Sequence, residues 1–466
     1  MVYTDKLTAL ATLAATGASF AQSAVTITGS VDAGFKAVSN DTNATAKWSG
    51  VGSNNITTSN ITFKGTEDLG GGMKAGFLYE IDPGVDRNTT LNQQLSGTAP
   101  LAQTYTGASA VNGEAFVQLA GAFGDIKAGT PNSPALIAGV TSQPFGTALG
   151  GGYSAGFGRL GTAAISGINQ YVGGPSSGGR IIRHEKAAVY TTPTFSGFNA
   201  QIEYSGKNSN GGFASNDNGL TTLALNYNNG PLNAIFTNTK ASGGNAAGNA
   251  SAYYALPYSI GQSPITNTGA CTALTANTAT TSGCVAPAYV STVAGNALKN
   301  GESVTYNIFG ANYAVDQNTT VYFGYTTTKG TQTASAAVAA TSTTNITPAY
   351  APENSKSWNL AGKYTIGQFD LLANYLERKS ALSAADAFAN ATTTVPTADY
   401  NPKQTLVGLG VNYNLSKLTT VYVRYEQISG LNAAAAAAVT ATTTPAVAAY
   451  GNGKLTTSAV GIKVAF

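Results

Sequence analysis

K-L-T-T-S-A-V-G-I-K-V-A-F, Lys454 to Phe466, closes the chain. Successive side chains of an extended strand point to opposite faces, and here the two faces differ. Val460, Ile462, Val464 and Phe466 share one; Ala459, Gly461, Lys463 and Ala465 share the other. One face is apolar and ends in an aromatic ring, and the other is small or charged. Soluble sandwiches also contain two-faced strands. A strand whose last residue is its interfacial aromatic suits a closed barrel in lipid, apolar outside and polar inside. The other strands must then supply the same outward face, and the first must pair with this last one.

Composition agrees. The 466 residues are 43% hydrophobic and only 10% charged, against about 25% charge in average soluble domains. Mean hydropathy is −0.01, a value that would also suit a soluble chain. No apolar run reaches the roughly 18 residues that a membrane helix needs, which excludes a helical membrane protein. Barrel strands hide their hydrophobicity because every second residue faces water. An all-β secreted protein or a low-complexity adhesin remain open on composition alone. The net charge of +3 is too weak to point to nucleic acid. Residues 1–21 read as a secretory signal, with an apolar stretch from Leu7 to Ala18 and small residues around Ser19-Phe20-Ala21. Residues 22–466 are then the barrel.

Alternation recurs along the chain. Val25–Ala37 opens the series, Ser39–Thr58 reads as loop, and Asn60–Thr66 and Met73–Ile81 form a hairpin across Glu67 to Gly72. Glycines supply the positive φ angles of such tight turns. Paired strands follow at Glu114–Ala120 with Asp125–Gly129, Lys186–Thr192 with Phe198–Ser205, and Leu220–Asn228 with Leu232–Lys240. Ser303–Val315 with Thr319–Thr328, Ser357–Ile366 with Gln368–Arg378, and Lys403–Leu415 with Leu418–Ile428 continue the set before the closing strand. The outward faces repeat one theme: Val321, Phe323, Tyr325; Val407, Leu409, Val411, Tyr413; Val421, Val423, Tyr425. Gly408, Gly410, Asn412 and Asn414 on the opposite face suit a water-lined interior. The expectation is an all-β, 16-stranded antiparallel transmembrane β-barrel in which short turns and long connections strictly alternate, the short turns periplasmic and the long loops external.

Among the long connections, Pro131 to Glu185 (131–185) stands apart. Loops of this length are usually functional or disordered. It holds Phe145, Tyr153, Phe157, Ile165, Ile168 and Tyr171, enough apolar surface to pack somewhere. Ser242–Glu302 and Gly330–Asn354 are rich in Ala, Thr, Asn and Gly, and the alanine run Ala433–Ala438 sits in a similar tract and reads as loop. Cys271 and Cys284, thirteen positions apart, read in a secreted chain as one disulfide closing an external loop; two free thiols are the alternative.

Four stretches resemble the trimeric, 16-stranded general porins of Gram-negative bacteria, β-proteobacterial type. They are Ser23 to Gly34, Phe63 to Ala75 (F-K-G-T-E-D-L-G-G-G-M-K-A), Ala115-Phe116-Val117 with Phe123-Gly124, and Tyr190 to Phe198; the terminal Phe466 fits too. The resemblance implies passive diffusion of small hydrophilic solutes and ions through a water-filled pore in the outer membrane. It implies that 131–185 folds into the lumen as a constriction loop. It also implies a homotrimer, contact with outer-membrane lipid and lipopolysaccharide, and Phe466 as an assembly signal for the barrel assembly machinery. Three basic positions of the family are replaced, by Asn60, by Gly113-Glu114, and by Thr130-Pro131 after Gly129. The implied anion preference is correspondingly weaker.

Catalytic motifs do not survive their context. Gly152-Tyr153-Ser154-Ala155-Gly156 fits G-x-S-x-G, but no Asp or Glu lies between Asp125 and Glu185, and His184 is the chain's single His. Gly156 to Gly161 fits G-x-G-x-x-G, but Ile181 stands where the dinucleotide fold needs an acid. Neither an enzyme, a cofactor nor a metal site is expected. The informative residues are the charges that strand parity turns inward: Lys36, Lys64, Lys74, Lys127, Lys363, Arg378, Arg424 and Lys463 against Asp32, Glu80, Glu203, Asp370 and Glu426, with Arg159, Arg180 and Arg183 added by the third loop. Charged rings at a constriction set selectivity, so a weakly anion-preferring porin is expected. The alternatives are a solute-specific channel and an adhesive or structural surface barrel.

Overall fold

The structure, a computed structural model, describes residues 24–40, 47–83, 113–152, 183–184, 186–206, 219–242, 303–331, 354–380, 403–431 and 453–466. Residues 1–21, Arg159, Arg180, Cys271 and Cys284 lie outside them. The strands are Ala24–Asn40 (β1), Trp48–Ser53 (β2), Asn60–Gly70 (β3), Met73–Ile81 (β4), Ala115–Gly121 (β5), Gly124–Thr130 (β6), Ala187–Thr191 (β7), Phe198–Ser205 (β8) and Gly219–Asn229 (β9). They continue as Leu232–Ser242 (β10), Ser303–Ala314 (β11), Thr319–Gly330 (β12), Asn354–Ile366 (β13), Phe369–Ser380 (β14), Lys403–Asn414 (β15), Thr419–Leu431 (β16) and Gly453–Ala465 (β17). A helix, Pro134–Thr141 (α1), follows β6.

From β3 onward each strand pairs antiparallel with the next, and β17 returns to β1 with Ser30 opposite Ala465. Phe466 N–H donates to the Gly29 carbonyl at 3.0 Å and receives the reciprocal bond at 3.1 Å. Closure matters because hydrocarbon offers no partner for an unpaired N–H or C=O, so an open edge cannot sit there. The alternation that defines the strands also sorts the wall. On β15, Val407, Leu409 and Val411 are exposed outward while Leu406, next to Val407, is buried inward. The β3–β4 turn uses Gly70, Gly71 and Gly72 at φ +77°, +61° and +80°, conformations that a Cβ would strain.

The stretch read as loop, Ser39–Thr58, is the main departure. β1 runs on to Asn40, and Trp48–Ser53 forms a strand against it. β2 pairs with the upper part of β1 (Ala33 opposite Ser53) and β3 with the lower part (Ser30 opposite Asn60). They are two halves of the barrel's second strand, so seventeen segments fill sixteen positions. Between the halves, residues 54–59 leave the ladder and turn inward, with Asn54 at φ +58°. W-S-G-V-G-S holds two large residues, Trp48 and Val51, three positions apart and so out of step with one face, and two glycines, too little alternation to announce a strand.

Candidate functional site: the narrowed lumen

Residues 131–152 leave β6 and cross the interior. Pro131 and Ser133 are buried, and the Ser133 hydroxyl caps α1 by accepting from Leu136 N–H at 3.1 Å, with Pro134 in the first turn. Proline suits that position because its missing N–H would have no helical partner. α1 packs against β9, β10 and β11. The wall is thinned to receive it: a Cβ at Gly310 would collide with the Ala138 carbonyl, and one at Gly324 with the Asn359 and Ser142 side chains.

A helix C-terminus leaves carbonyls without partners. Here inward amides of the wall supply the donors. Asn312 Nδ2 donates to Thr141 O at 3.1 Å, and Asn359 Nδ2 to Ser142 O at 2.7 Å. Farther round, Asn374 Nδ2 donates to Gly151 O at 3.1 Å. The Glu426 carboxylate accepts from Gly150 N–H at 3.0 Å and Gly151 N–H at 2.7 Å. Both glycines hold positive φ, +113° and +100°, which turns successive N–H groups toward one anion. Gly408 and Gly410, expected to line water, instead lie under this tip. A Cβ at Gly408 would enter the Gly150 carbonyl, and one at Gly410 would sit 2.9 Å from the Phe145 ring. Phe145, expected to need a packing partner, is 4% exposed.

The inward fold of residues 54–59 meets the loop tip from the other side. Leu149 N–H donates to Asn55 O at 3.1 Å, and Ile56 packs on Leu149, Tyr422 and Ala459. Asp32, fully buried, organises the junction. Its Oδ2 accepts from Ile56 N–H at 2.6 Å and Thr57 N–H at 3.0 Å, and its Oδ1 accepts from the Tyr422 hydroxyl. Asn55 Nδ2 donates to that hydroxyl at 3.0 Å. Tyr422 has room because Gly461 beneath it carries no side chain.

The other inward acids are engaged in the same way. Glu80 Oε2 accepts from Asn60 Nδ2 at 3.0 Å and Thr62 Oγ1 at 3.2 Å, and its Oε1 meets Arg183 at 3.4 Å. Glu203 Oε1 lies 2.7 Å from His184 Nδ1, both side chains buried at the root of the loop. Asp370 accepts from Thr365 at 2.8 Å and Asn414 at 3.0 Å, with Lys363 at 3.8 Å.

The bases divide. Arg424 is held by Asn412 Oδ1 at 2.6 Å and by the Val411 and Val423 carbonyls, its guanidinium 5.7 Å from the Phe145 ring centre. Arg378 donates to Gln404 at 3.0 Å and Lys36 to Ser53 O at 3.2 Å. Lys127 stacks over Phe116, 4.8 Å from its centre. Lys64, Lys74 and Lys463 make no hydrogen bond or ion pair with any described residue. Lys64 lines a recess of about 580 Å³ with Thr26, Thr28, Thr62, Thr66 and Leu78, on the short-turn side. Among the described residues no group of three His, Cys, Asp or Glu is placed to hold a metal. Asn55, Asn312, Asn359, Asn374 and Tyr422 were not singled out by sequence. The available signal was polar residues on inward positions, which is also what a wet wall looks like.

Comparison with known proteins follows the same line. A profile of the Gram-negative porin family matches residues 7–351. Outer membrane porin protein 32 of Delftia acidovorans is 32% identical over 231 residues, 49% of this chain and 57% of that protein. Major outer membrane protein P.IB of Neisseria gonorrhoeae is 31% identical over 173 residues, 37% of this chain and 38% of that protein. The chain thus spans less than two thirds of either relative. Among solved structures, the anion-selective porin of Comamonas acidovorans superposes with a TM-score of 0.59 at 20% identity, covering 96% of this chain and 100% of that one. The trimer form of OmpT from Vibrio cholerae gives 0.52 at 12%, with 96% and 100% covered. Identities this low speak to the fold.

Proposed function

Because this chain belongs to the Gram-negative porin family, we propose that it forms a water-filled diffusion channel for small hydrophilic solutes and ions in the bacterial outer membrane, with a weak preference for anions. The observation that carries the preference is the contrast in engagement. Each of the five acids named by strand parity accepts hydrogen bonds or an ion pair from the protein, as do Glu114 and Asp125, whereas Lys64, Lys74 and Lys463 have no partner among the described residues. A carboxylate saturated by donors offers little field to a passing ion, and a solvated ammonium offers its full charge, screened over roughly 10 Å at 0.1 M salt. The relative from Comamonas described as anion-selective supports the same sign. Arg183, paired with Glu80, contributes less than its charge suggests. The assembly is a homotrimer, in line with the trimeric OmpT form of like fold, and its outer wall contacts lipid and lipopolysaccharide.

Planar-bilayer recording tests this directly. The protein should give stepwise openings in threes, and a tenfold KCl gradient should give a reversal potential of anion-selective sign that shrinks as salt rises. Well-folded protein without conductance would refute the channel; a cation-selective sign would refute the preference.

A further inference from the structure

Residues 54–59 leave the barrel's second strand and form an inward strap. Leaving a ladder strips backbone donors and acceptors of their partners. The strap recovers them around one residue of β1. Asp32 O accepts from Asn54 N–H at 3.2 Å, and Asp32 N–H donates to Ser59 Oγ at 3.0 Å. The Asp32 carboxylate takes the Ile56 and Thr57 N–H groups. Asn54 Oδ1 accepts from Ser59 N–H at 2.8 Å, which closes the base, and Ser30 Oγ donates to Thr58 O at 3.2 Å. Asn55 Nδ2 reaches Gly52 O and the Tyr422 hydroxyl, both at 3.0 Å. Each of these bonds ends on β1, β2, β16 or the strap itself, so the strap is complete without the third loop.

What it offers the loop is narrow. Asn55 O accepts from Leu149 N–H at 3.1 Å, and Ile56 packs on Leu149. One residue farther on, the loop is gripped differently, because the Gly150 and Gly151 N–H groups both donate to Glu426. Hydrogen bonds to a charged group are roughly twice as strong as neutral ones. The contact with the strap is therefore the weaker of two adjacent grips. The segment that ends on it, residues 147–149, lies between Gly146 and Gly150, at φ +61° and +113°, backbone that glycine adopts without strain. Gly146 is exposed, and a Cβ there would meet nothing within 4 Å, so nothing packs against this pivot. Ile56, Thr57 and Thr58 are half-buried and take up lumen beside the segment. We propose that residues 54–59 are the releasable latch of the third loop. Leu149 lifts from Asn55 and Ile56 while Gly150 and Gly151 stay on Glu426. The strap, with Asp32 and Tyr422 as positioning residues behind it, sets how often residues 147–149 leave their seat and change the width of the pore. The effect on pore width rests on the proposed channel; the latch itself does not.

Two variants of the full chain test it. Deleting residues 55–58 removes the strap and lets Asn54 and Ser59 complete the ladder opposite Asp32 and Val31. Tyr422→Phe keeps the ring and the bonds from Ile56 and Thr57 to Asp32, but removes the hydroxyl shared by Asp32 and Asn55. Hydrogen exchange resolved to single amides, on detergent-purified protein, should show Leu149 exchanging about tenfold faster in Tyr422→Phe and faster still in the deletion. Gly150 and Gly151 should stay as slow as in wild type. In planar bilayers, open-channel noise should rise in both variants, and mean conductance should rise in the deletion. If the deletion does not fold, Tyr422→Phe decides alone. Equal acceleration at Leu149, Gly150 and Gly151 overturns the latch, since the loop would then leave the wall as one body. Lower thermal stability with Leu149 exchange and noise unchanged overturns it too, because the strap would then be structural only. Exchange needs no conductance, so wild-type protein that exchanges as expected but conducts nothing would sink the channel and leave the latch standing.

Discussion

Asp32 and Lys64 both point into the same lumen from neighbouring strands, yet they are in opposite situations. Asp32 is buried and takes three donors, from Ile56, Thr57 and Tyr422. Lys64 is exposed and takes none from the described residues. The first belongs to the half where the third loop is clamped, the second to the half that opens toward the short turns. A tally of eight inward bases against five acids treats them as equal and opposite. The clamped half ties its acids into hydrogen bonds with the inward fold and the loop, and under the proposed function it is the open half that sets the field.

The severest attack on that distinction is Glu426→Ala. Two glycine N–H groups would lose a charged acceptor, costing about 3 kcal/mol of loop docking. If Glu426 holds the loop, single-channel conductance and open-channel noise should change markedly; if it acts only as a charge, the reversal potential should move toward anions at constant conductance. Next in size is Lys64→Glu together with Lys74→Glu. Conductance should stay near wild type while the reversal potential in 0.1 M salt turns toward cations, an effect that fades at 1 M, where screening shortens to about 3 Å. Unaltered selectivity would show that the open half does not set it. The smallest electrical effect should come from Asp32→Asn. A free charge would shift the reversal potential by one unit of lumen charge; a tied one should leave it nearly unmoved while thermal stability falls by about 1.5–3 kcal/mol, the worth of a hydrogen bond to a charged group.

How much of this the sequence discloses follows from where the periodic signal is strong. The closing strand and β15 alternate cleanly because lipid on one side and water on the other sort their residues two by two. α1 is invisible by that signal: Pro134 to Thr141 is eight residues, six of them buried, so no polar stripe marks a helix. The clamp is hidden for a different reason. Asn312, Asn359 and Asn374 occupy inward positions where an amide facing water and an amide holding a carbonyl of the loop have the same sequence appearance. Gly408 and Gly410 carry the same ambiguity, since small residues suit a wide pore and a backbone pressed against the wall alike. The partners of these side chains come from a loop far away in sequence, and no local pattern encodes which strand it will touch.

The split second strand has a consequence for how this wall can change length. Between Ala33 and Ser30 the first strand advances three residues, while its neighbour advances seven, from Ser53 to Asn60. The surplus is four, an even number, so Val51 above the break and Phe63 below it still face the same side as Phe35 and Ile27. A surplus of three or five would have inverted everything between the break and the next turn, placing Lys64 in hydrocarbon and Phe63 in water, because side chains exchange faces with every single-residue slip. Insertions within this barrel wall are therefore quantised in pairs, and a pair-sized excess that buckles inward becomes raw material for furnishing the channel without rewriting the strand on either side of it.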